Sequence, residues 1–481
     1  MDEVAFYVTQ GDPEDKHSKE SLGVAASVHK SHTYASFRNA DCPLNGAAIT
    51  GMGPGERLFV AGKDKALITC YSWGKEGADQ KFPIPETVSC LSIAEHPVIP
   101  DNGGEAKIAF HKPKQHIPWL LAAGTATGKL YIWELASGNL LCVKDAHYQG
   151  ITCIRFTKNS DFVITGGSDS RVTVWRTVDL VSFDDEPAKP FATFSDHSLA
   201  ITDIAVADSP LPIDVKIYTA SKDSTVRLYN IVHKKLLTTF VFPSPVECIA
   251  RDSADRAFYA GLTDGTIRQV PLYVVNKVSN ALESVVGTGK VVTVAEDPEV
   301  RETFVYHQSS GTDRHATRLS VSFDGMSLIS GDTHGHVIVG DVVTKQIIKS
   351  FTPCKSAIAF LHVETHSDAL LKTQQSFDKK SRLLQPLKRV IFSGEAMDHV
   401  VHMEITSPIE EEQTREEWYD ELAEVEQEFK REYEQRMKAK DDTKDKETIK
   451  ELQEKLEKVS GAYNNLKGMY EELYKETQEQ K

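Results

Sequence analysis

The sequence predicts an all-β architecture, a seven-bladed β-propeller, followed by an α-helical coiled-coil tail. Three observations lead there. A strand phrase recurs seven times. The chain, at 481 residues, exceeds the size of about 250–300 residues at which a single core stops growing, unless that core is assembled from repeats. After Ser407 the apolar pattern changes from alternation to spacings of three and four.

The repeated phrase is a β-branched run ending in small residues, a tight turn with Asp, and alternating apolar residues closed by an aromatic. Its sharpest copy runs from Phe162 through Gly166-Gly167-Ser168-Asp169 to Val172-Thr173-Val174-Trp175, and a second from Ile217 through Ser221-Lys222-Asp223 to Val226-Arg227-Leu228-Tyr229. Asp precedes the aromatic by six residues in both. The same offset links Asp64 to Cys70 and Asp264 to Val270, while Trp133, Gly340 and Met403 close three copies that lack the Asp. The closest anchors lie 41 and 42 residues apart, the period of a four-stranded propeller blade of the WD-repeat kind. Alternation presents one row of side chains to each neighbouring blade. A lone blade cannot cover both faces, so the ring must close.

Closure is expected at the chain ends. Pro386 to Met403 reads as the inner strands of the last blade, and Val4 to Thr9 as a strand without a blade, so residues 1–10 are expected to complete that blade and residues 11–407 to form the propeller. The loops 94–118 and 273–315 read as inserts. His147, Thr165, Asp169 and Trp175, with the near copy His197, Thr219, Asp223 and Tyr229, are placed for a buried structural relay of indole or phenol, hydroxyl, imidazole and carboxylate. An imidazole oriented by a carboxylate is also half of a hydrolase triad. Recurrence at the blade period argues for structure over catalysis.

The tail divides in two. Ser407-Pro408-Ile409-Glu410 has an N-cap, a proline at the first helical position and a glutamate that completes a capping box. Residues 408–440 then read as an acidic amphipathic helix with the stripe Trp418, Leu422, Val425, Phe429 and Tyr433. Residues 441–481 read as a coiled-coil helix whose seam is Ile449, Leu452, Leu456, Val459, Tyr463, Leu466, Tyr470 and Leu473. About thirty residues at 1.5 Å each make a rod of roughly 45 Å. Such a polar helix is marginal alone and calls for a partner helix. Tyrosines at two a positions leave antiparallel and hetero pairing open beside a homodimer.

Composition narrows the function classes. The formal charge is −15, of which −9 falls after Pro408, where 23 acidic face 14 basic side chains. That balance argues against whole-surface attraction to nucleic acid, and direct RNA contact would have to be local. No apolar run approaches the roughly 20 residues of a membrane span. The acidic start Met1-Asp2-Glu3 is unlike a secretory signal, and the seven cysteines form no Cys-x-x-Cys pair, so a reducing compartment is expected. Gly51-Met52-Gly53-Pro54-Gly55 lacks the lysine of a phosphate loop, and Gly287-Thr288-Gly289-Lys290 lacks the following hydroxyl. His334, His336, His399 and His402 lack the partners of a zinc site. Lys379-Lys380-Ser381-Arg382 with Lys388-Arg389 is a thin basic loop. No catalytic, cofactor-binding or metal residue is assigned, and no enzyme is expected.

Gly128 to Leu135, Asp169 through Trp175 to Ser182, Lys345 to Ile348, and the tail phrases Ala462-Tyr463 through Leu466 and Glu472 to Tyr474 together resemble the fungal WD-repeat subunit of the Rix/Ipi complex. The likeness runs from the first residues to the tail. It implies a nuclear factor, nucleolar and nucleoplasmic, in large ribosomal subunit maturation and removal of the internal transcribed spacer from pre-ribosomal RNA. It implies a scaffold beside a large helical-repeat partner, acting on the pre-ribosomal particle and indirectly recruiting a giant remodelling ATPase. The competing expectation is a WD-repeat adaptor that binds a peptide or modified residue through the channel.

Overall fold

The computed structural model describes residues 2–11, 22–53, 55–94, 119–182, 188–207, 214–275, 280–294, 303–307, 314–366, 383–391, 430–431 and 446–479. They form two compact units, Met1–Glu404 and Ile405–Lys481. The first is a seven-bladed β-propeller. Six blades follow the chain: blade 2 lies between Ala47 and Pro83, blade 3 between Val88 and Asp145, blade 4 between Ile151 and Phe194, blade 5 between Ile201 and Val241, blade 6 between Val246 and Phe304, and blade 7 between Ala316 and Ser350. Cys70, Trp133, Trp175, Tyr229, Val270 and Gly340 each sit in the third strand of one of these blades.

Blade 1 closes the ring, and here the structure corrects the expectation. Its innermost strand is Ile358–His366, not Pro386 to Met403, and three strands come from the N-terminus: Asp2–Thr9, Leu22–Ser27 and Thr33–Arg38. Asp2–Thr9 is therefore an interior strand, antiparallel to Ile358–His366 on one side and Leu22–Ser27 on the other. All eight of its residues are buried, which explains its unbroken apolar run: an outer strand would have shown a solvent face. Leu384 to Ile391 is not a strand but an extended segment against blades 2 and 3. Met403 lies outside the described residues.

Burial follows the blade boundaries. Among the described residues seven apolar clusters make up the core, each joining one pair of neighbouring blades. The cluster between blades 1 and 2, for example, packs Val4, Phe6 and Phe37 on Leu58, Val60 and Tyr71. Each sheet thus depends on its neighbours, as expected of a repeat array bent into a circle.

The insert after blade 6's third strand contributes strands of its own. Tyr273–Val275 and Leu282–Ser284 pair as a hairpin, Lys290–Thr293 adds a fifth, parallel strand to blade 5, and Thr303–Phe304 is the short outer strand of blade 6. Residues 95–118, the other insert, lie outside the described residues.

In the second unit a helix spans Lys446–Glu479, so the whole expected seam falls on one helix. Leu456, Val459, Tyr463 and Leu466 are exposed on it. The side chains of Ile449, Leu452, Tyr470 and Leu473 lie outside the described residues, as do Trp418, Leu422, Val425, Phe429 and Tyr433. No helix among the described residues is long and apolar enough to cross a membrane.

Candidate functional site

Two constellations could carry chemistry: the His–Asp pairs between blades, and the polar groups lining the channel.

His147 follows the outer strand of blade 3 and precedes the inner strand of blade 4. Its Nδ1 lies 2.9 Å from Asp169 Oδ1 and its Nε2 2.9 Å from Thr165 Oγ1. Asp169 also accepts the backbone N–H groups of Tyr148 and Arg171. His197 repeats the arrangement between blades 4 and 5, 2.9 Å from Asp223 and 2.8 Å from Thr219. Burial works against the charged form of Asp223, but hydrogen bonds from His197 and Thr225 outweigh it and hold the carboxyl well below the usual range. Each unit pins an inter-blade linker to the hairpin turn of the blade that follows.

The aromatic ends of the expected relays are not connected. Thr165 donates to the carbonyl of Thr173, directly opposite it in the ladder, and Trp175 Nε1 finds no hydrogen-bond partner among the described residues. The Trp175 ring packs between blades 3 and 4. Tyr229 donates its hydroxyl to Asp196 at 3.0 Å rather than to Thr219, and stacks on Phe194. The register sets the outcome: Trp175 faces Val163, two residues from Thr165.

A third unit escaped sequence reasoning. Between blades 6 and 7, His307 lies 2.8 Å from Ser330 and 3.3 Å from Asp332, which also binds the Arg314 guanidinium and accepts the backbone N–H groups of His334 and His336. Burial again disfavours the Asp332 carboxylate, and the hydrogen bonds from His307, His336 and Arg314 overcome it and hold the carboxyl low. The phrase Ser330-Gly331-Asp332 was the available signal, but its Asp is two residues after the hydroxyl instead of four. The side chains of His147, His197 and His307 are 0%, 1% and 0% exposed. Sealed in this way, the pairs are placed to brace the junctions between blades.

The channel mouth is a cavity of about 830 Å³ lined from every blade, with Lys63, Lys222 and Arg318 against Asp64 and Glu247. A second hidden repeat shapes it. The innermost strands of blades 3 to 7 each shift register after their first residue, skipping Ser89, Thr152, Thr202, Glu247 and Thr317. Such a bulge re-aims a side chain. Ser89, Thr202 and Thr317 donate to the carbonyls of Ile151, Val246 and Ile358, the first residue of the next blade. The residue after the bulge is Cys90, Cys153 or Cys248 in blades 3, 4 and 6, each against a glycine whose added Cβ would lie within 3 Å of the sulfur. Burial pushes the Cys90 and Cys153 thiols up to about 12, which disfavours the nucleophilic thiolate.

In blades 5 and 7 the same position holds Asp203 and Arg318. Arg318 Nη1 lies 3.7 Å from Asp203 Oδ2, and Arg155 Nη2 lies 3.3 Å from both Asp203 Oδ1 and Asn45 Oδ1. Asn45 Nδ2 donates to the Thr152 carbonyl, and Arg318 Nε to that of Ala359. One polar network thus crosses the channel and braces blades 1, 2, 4, 5 and 7. Farther along, His366 Nε2 lies 3.2 Å from Glu364 Oε2 on the inner strand of blade 1. Among the described residues no group of three or more His, Cys, Asp or Glu could hold a metal ion.

The family model "WD domain, G-beta repeat" matches residues 138–176 and 188–230, the region of the two sharpest phrases. Full-length likeness is wider. The chain is 46% identical to the pre-rRNA-processing protein IPI3 of Candida albicans, over 99% of this chain and 98% of that one. It is 44% identical to that of Meyerozyma guilliermondii, over 99% of each, and 29% identical to that of Saccharomyces cerevisiae, over 100% and 99%. Ring and tail are covered together at these identities, and the chain belongs to the pre-rRNA-processing protein IPI3 family.

Proposed function

We propose that this chain is a non-catalytic scaffold subunit of a nuclear ribosome-biogenesis complex, acting in pre-rRNA processing at the step that removes the internal transcribed spacer and remodels the large-subunit precursor. The observation that carries the reading is the family likeness across the whole chain, tail included, since a propeller alone is compatible with many functions. The sealed histidines and high-pKa thiols support a binding role over a catalytic one. In this reading a large helical-repeat subunit holds the rim, the pre-ribosomal particle is the substrate of the assembly, and a remodelling ATPase is recruited indirectly. The helix Lys446–Glu479 pairs through Leu456, Val459, Tyr463 and Leu466 with a second copy or with a helix of another subunit.

The test is depletion of the protein followed by hybridisation with a probe inside the internal transcribed spacer between the two large-subunit RNAs. Accumulation of the spacer-containing precursor, with co-purification of large-subunit precursors on the tagged chain, is expected. Unchanged precursor levels would remove the proposal. The channel cavity, with Lys63 and Lys222 in its lining, favours a second reading, an adaptor that takes a peptide or modified residue at the mouth. Lys63→Ala with Lys222→Ala would then abolish partner recovery while the ring stays folded.

A further inference from the structure

We propose that the outer groove between blades 2 and 3 is a peptide-recognition site occupied by this chain's own residues 383–391, and that its ligand class is an extended peptide with two leucines three residues apart. The groove holds the segment in two independent ways. Leu384 and Leu387 are buried among Phe82, Ile84, Trp133 and Leu140 in the cluster between the blades. The backbone is read separately. Gln80 donates from Nε2 to the Leu384 carbonyl at 2.8 Å and accepts the Leu384 N–H at Oε1, 2.7 Å away. Trp133 Nε1 donates to the Lys388 carbonyl at 2.8 Å, and the Lys388 N–H donates to the Gly138 carbonyl at 2.8 Å.

Groove residues are shaped for this contact. Gly138 has φ +70°, and a Cβ there would lie 2.5 Å from the Pro386 carbonyl oxygen, so only glycine admits the peptide backbone. Trp133 is the blade-3 counterpart of Trp175. The latter's indole N–H finds no partner among the described residues, whereas that of Trp133 is committed to the segment. Leu383, Val390 and Ile391 are exposed at its ends, so recognition is concentrated on Leu384 to Lys388. Backbone hydrogen bonds for affinity and alternate side chains in pockets for selectivity are the general means of reading extended peptides. Covalent attachment to the ring raises the local concentration of the chain's own segment to about the millimolar range, so a foreign peptide enters only by outcompeting it.

The experiment places a specific protease site within residues 367–382 of the full chain. After cleavage the two pieces should co-elute, and excess synthetic peptide of residues 383–391 should release the C-terminal piece. The same peptide with Leu384→Asp and Leu387→Asp should not. Separation immediately on cleavage, failure of the peptide to displace, or equal displacement by both peptides would each overturn the proposal. A complementary measurement uses the uncleaved chain carrying Leu384→Asp and Leu387→Asp. Its vacated groove should bind fluorescein-labelled 383–391 peptide by anisotropy at least tenfold more tightly than the parent does, and Gln80→Ala added to it should weaken that binding about tenfold. If that variant fails to fold, the cleaved chain, whose groove is unaltered, decides.

Discussion

Replacing Asp203 by alanine should lower the melting temperature of the ring by about 5 °C. The carboxylate is buried between two guanidinium groups, Arg155 at 3.3 Å and Arg318 at 3.7 Å. Removing one member of a buried ion pair costs about 3–5 kcal/mol, chiefly because the other charge is left uncompensated. Arg318 keeps the carbonyls of Ala359 and Thr317 as acceptors, which puts its share near the low end, about 3 kcal/mol. Arg155 is one-third exposed at its side chain and adds little. The backbone N–H groups of Ile204 and Ile249 also lose an acceptor, at about 0.5 kcal/mol each. The total near 4 kcal/mol, set against an unfolding entropy of about 0.8 kcal/mol/K for a unit of roughly 400 residues, gives the shift. Calorimetry of the single variant and of Asp203→Leu with Arg318→Met separates the causes. The double variant should recover most of the loss, because an apolar pair replaces an ionic one at little cost. A single variant within 1 °C of the parent, or a double variant as unstable as the two singles summed, would refute the reasoning.

Deleting residues 2–9 removes an interior strand with Val4, Phe6, Tyr7 and Val8 buried, about 6–12 kcal/mol of apolar burial and comparable to the whole stability of a typical domain; the product should be insoluble or lack a cooperative thermal transition. Asp223 is held below its ordinary value of 3.8, so its contribution is complete above that pH and is lost as pH falls further toward the folded-state value. Asp223→Asn should therefore be less stable than the parent at neutral pH and show a shallower fall in melting temperature below pH 3.8, and parallel acid limbs would count against the assignment. Leu456→Asp with Leu466→Asp should abolish any mass increase attributable to helix pairing in light scattering of the full chain, since burying each carboxylate would cost several kcal/mol, and should leave the ring's melting temperature unchanged.

What the sequence disclosed depended on whether a feature repeats along the chain. Six blades were legible because each third strand carries its alternation and closing residue within one stretch, from Leu67–Ser72 to Val337–Asp341. Blade 1 was not. Its second strand is Asp2–Thr9 and its first is Ile358–His366, so no local window contains the phrase, and Pro386 to Met403 stood in for it. The third His–Asp unit was obscured because residues 308–313 lengthen the path from His307 to the inner strand of blade 7. The channel network was hidden for a different reason. Arg155, Asp203 and Arg318 meet on inner strands that bulges turn alike, joined by Asn45 from the loop before blade 2, and a register shift leaves no mark in hydropathy. The triplets Val88-Ser89-Cys90, Ile151-Thr152-Cys153, Ile201-Thr202-Asp203 and Val246-Glu247-Cys248 were the signal that would have exposed it.

A propeller brings many polar and nucleophilic groups to its axis, and here most serve the ring. Three imidazoles clamp linkers, three thiols are sealed against glycines, and both arginines of the channel are engaged by Asp203, Arg155 also by the Asn45 side chain and Arg318 by the Ala359 carbonyl. Withdrawing any of these for a ligand would loosen inter-blade contacts on which two or more sheets depend. Exposed apolar groups are found on the helix at Leu456, Val459, Tyr463 and Leu466, on the insert at Tyr273, Val274 and Leu282, and on the surface of the ring at Tyr148, Phe323 and Val343. Solvent-facing apolar side chains contribute nothing to the ring, so partner binding can use them without destabilising it. A propeller built this way keeps the side chains that hold it together apart from the exposed ones, and the pairing variants should lose helix pairing while the channel variants lose stability.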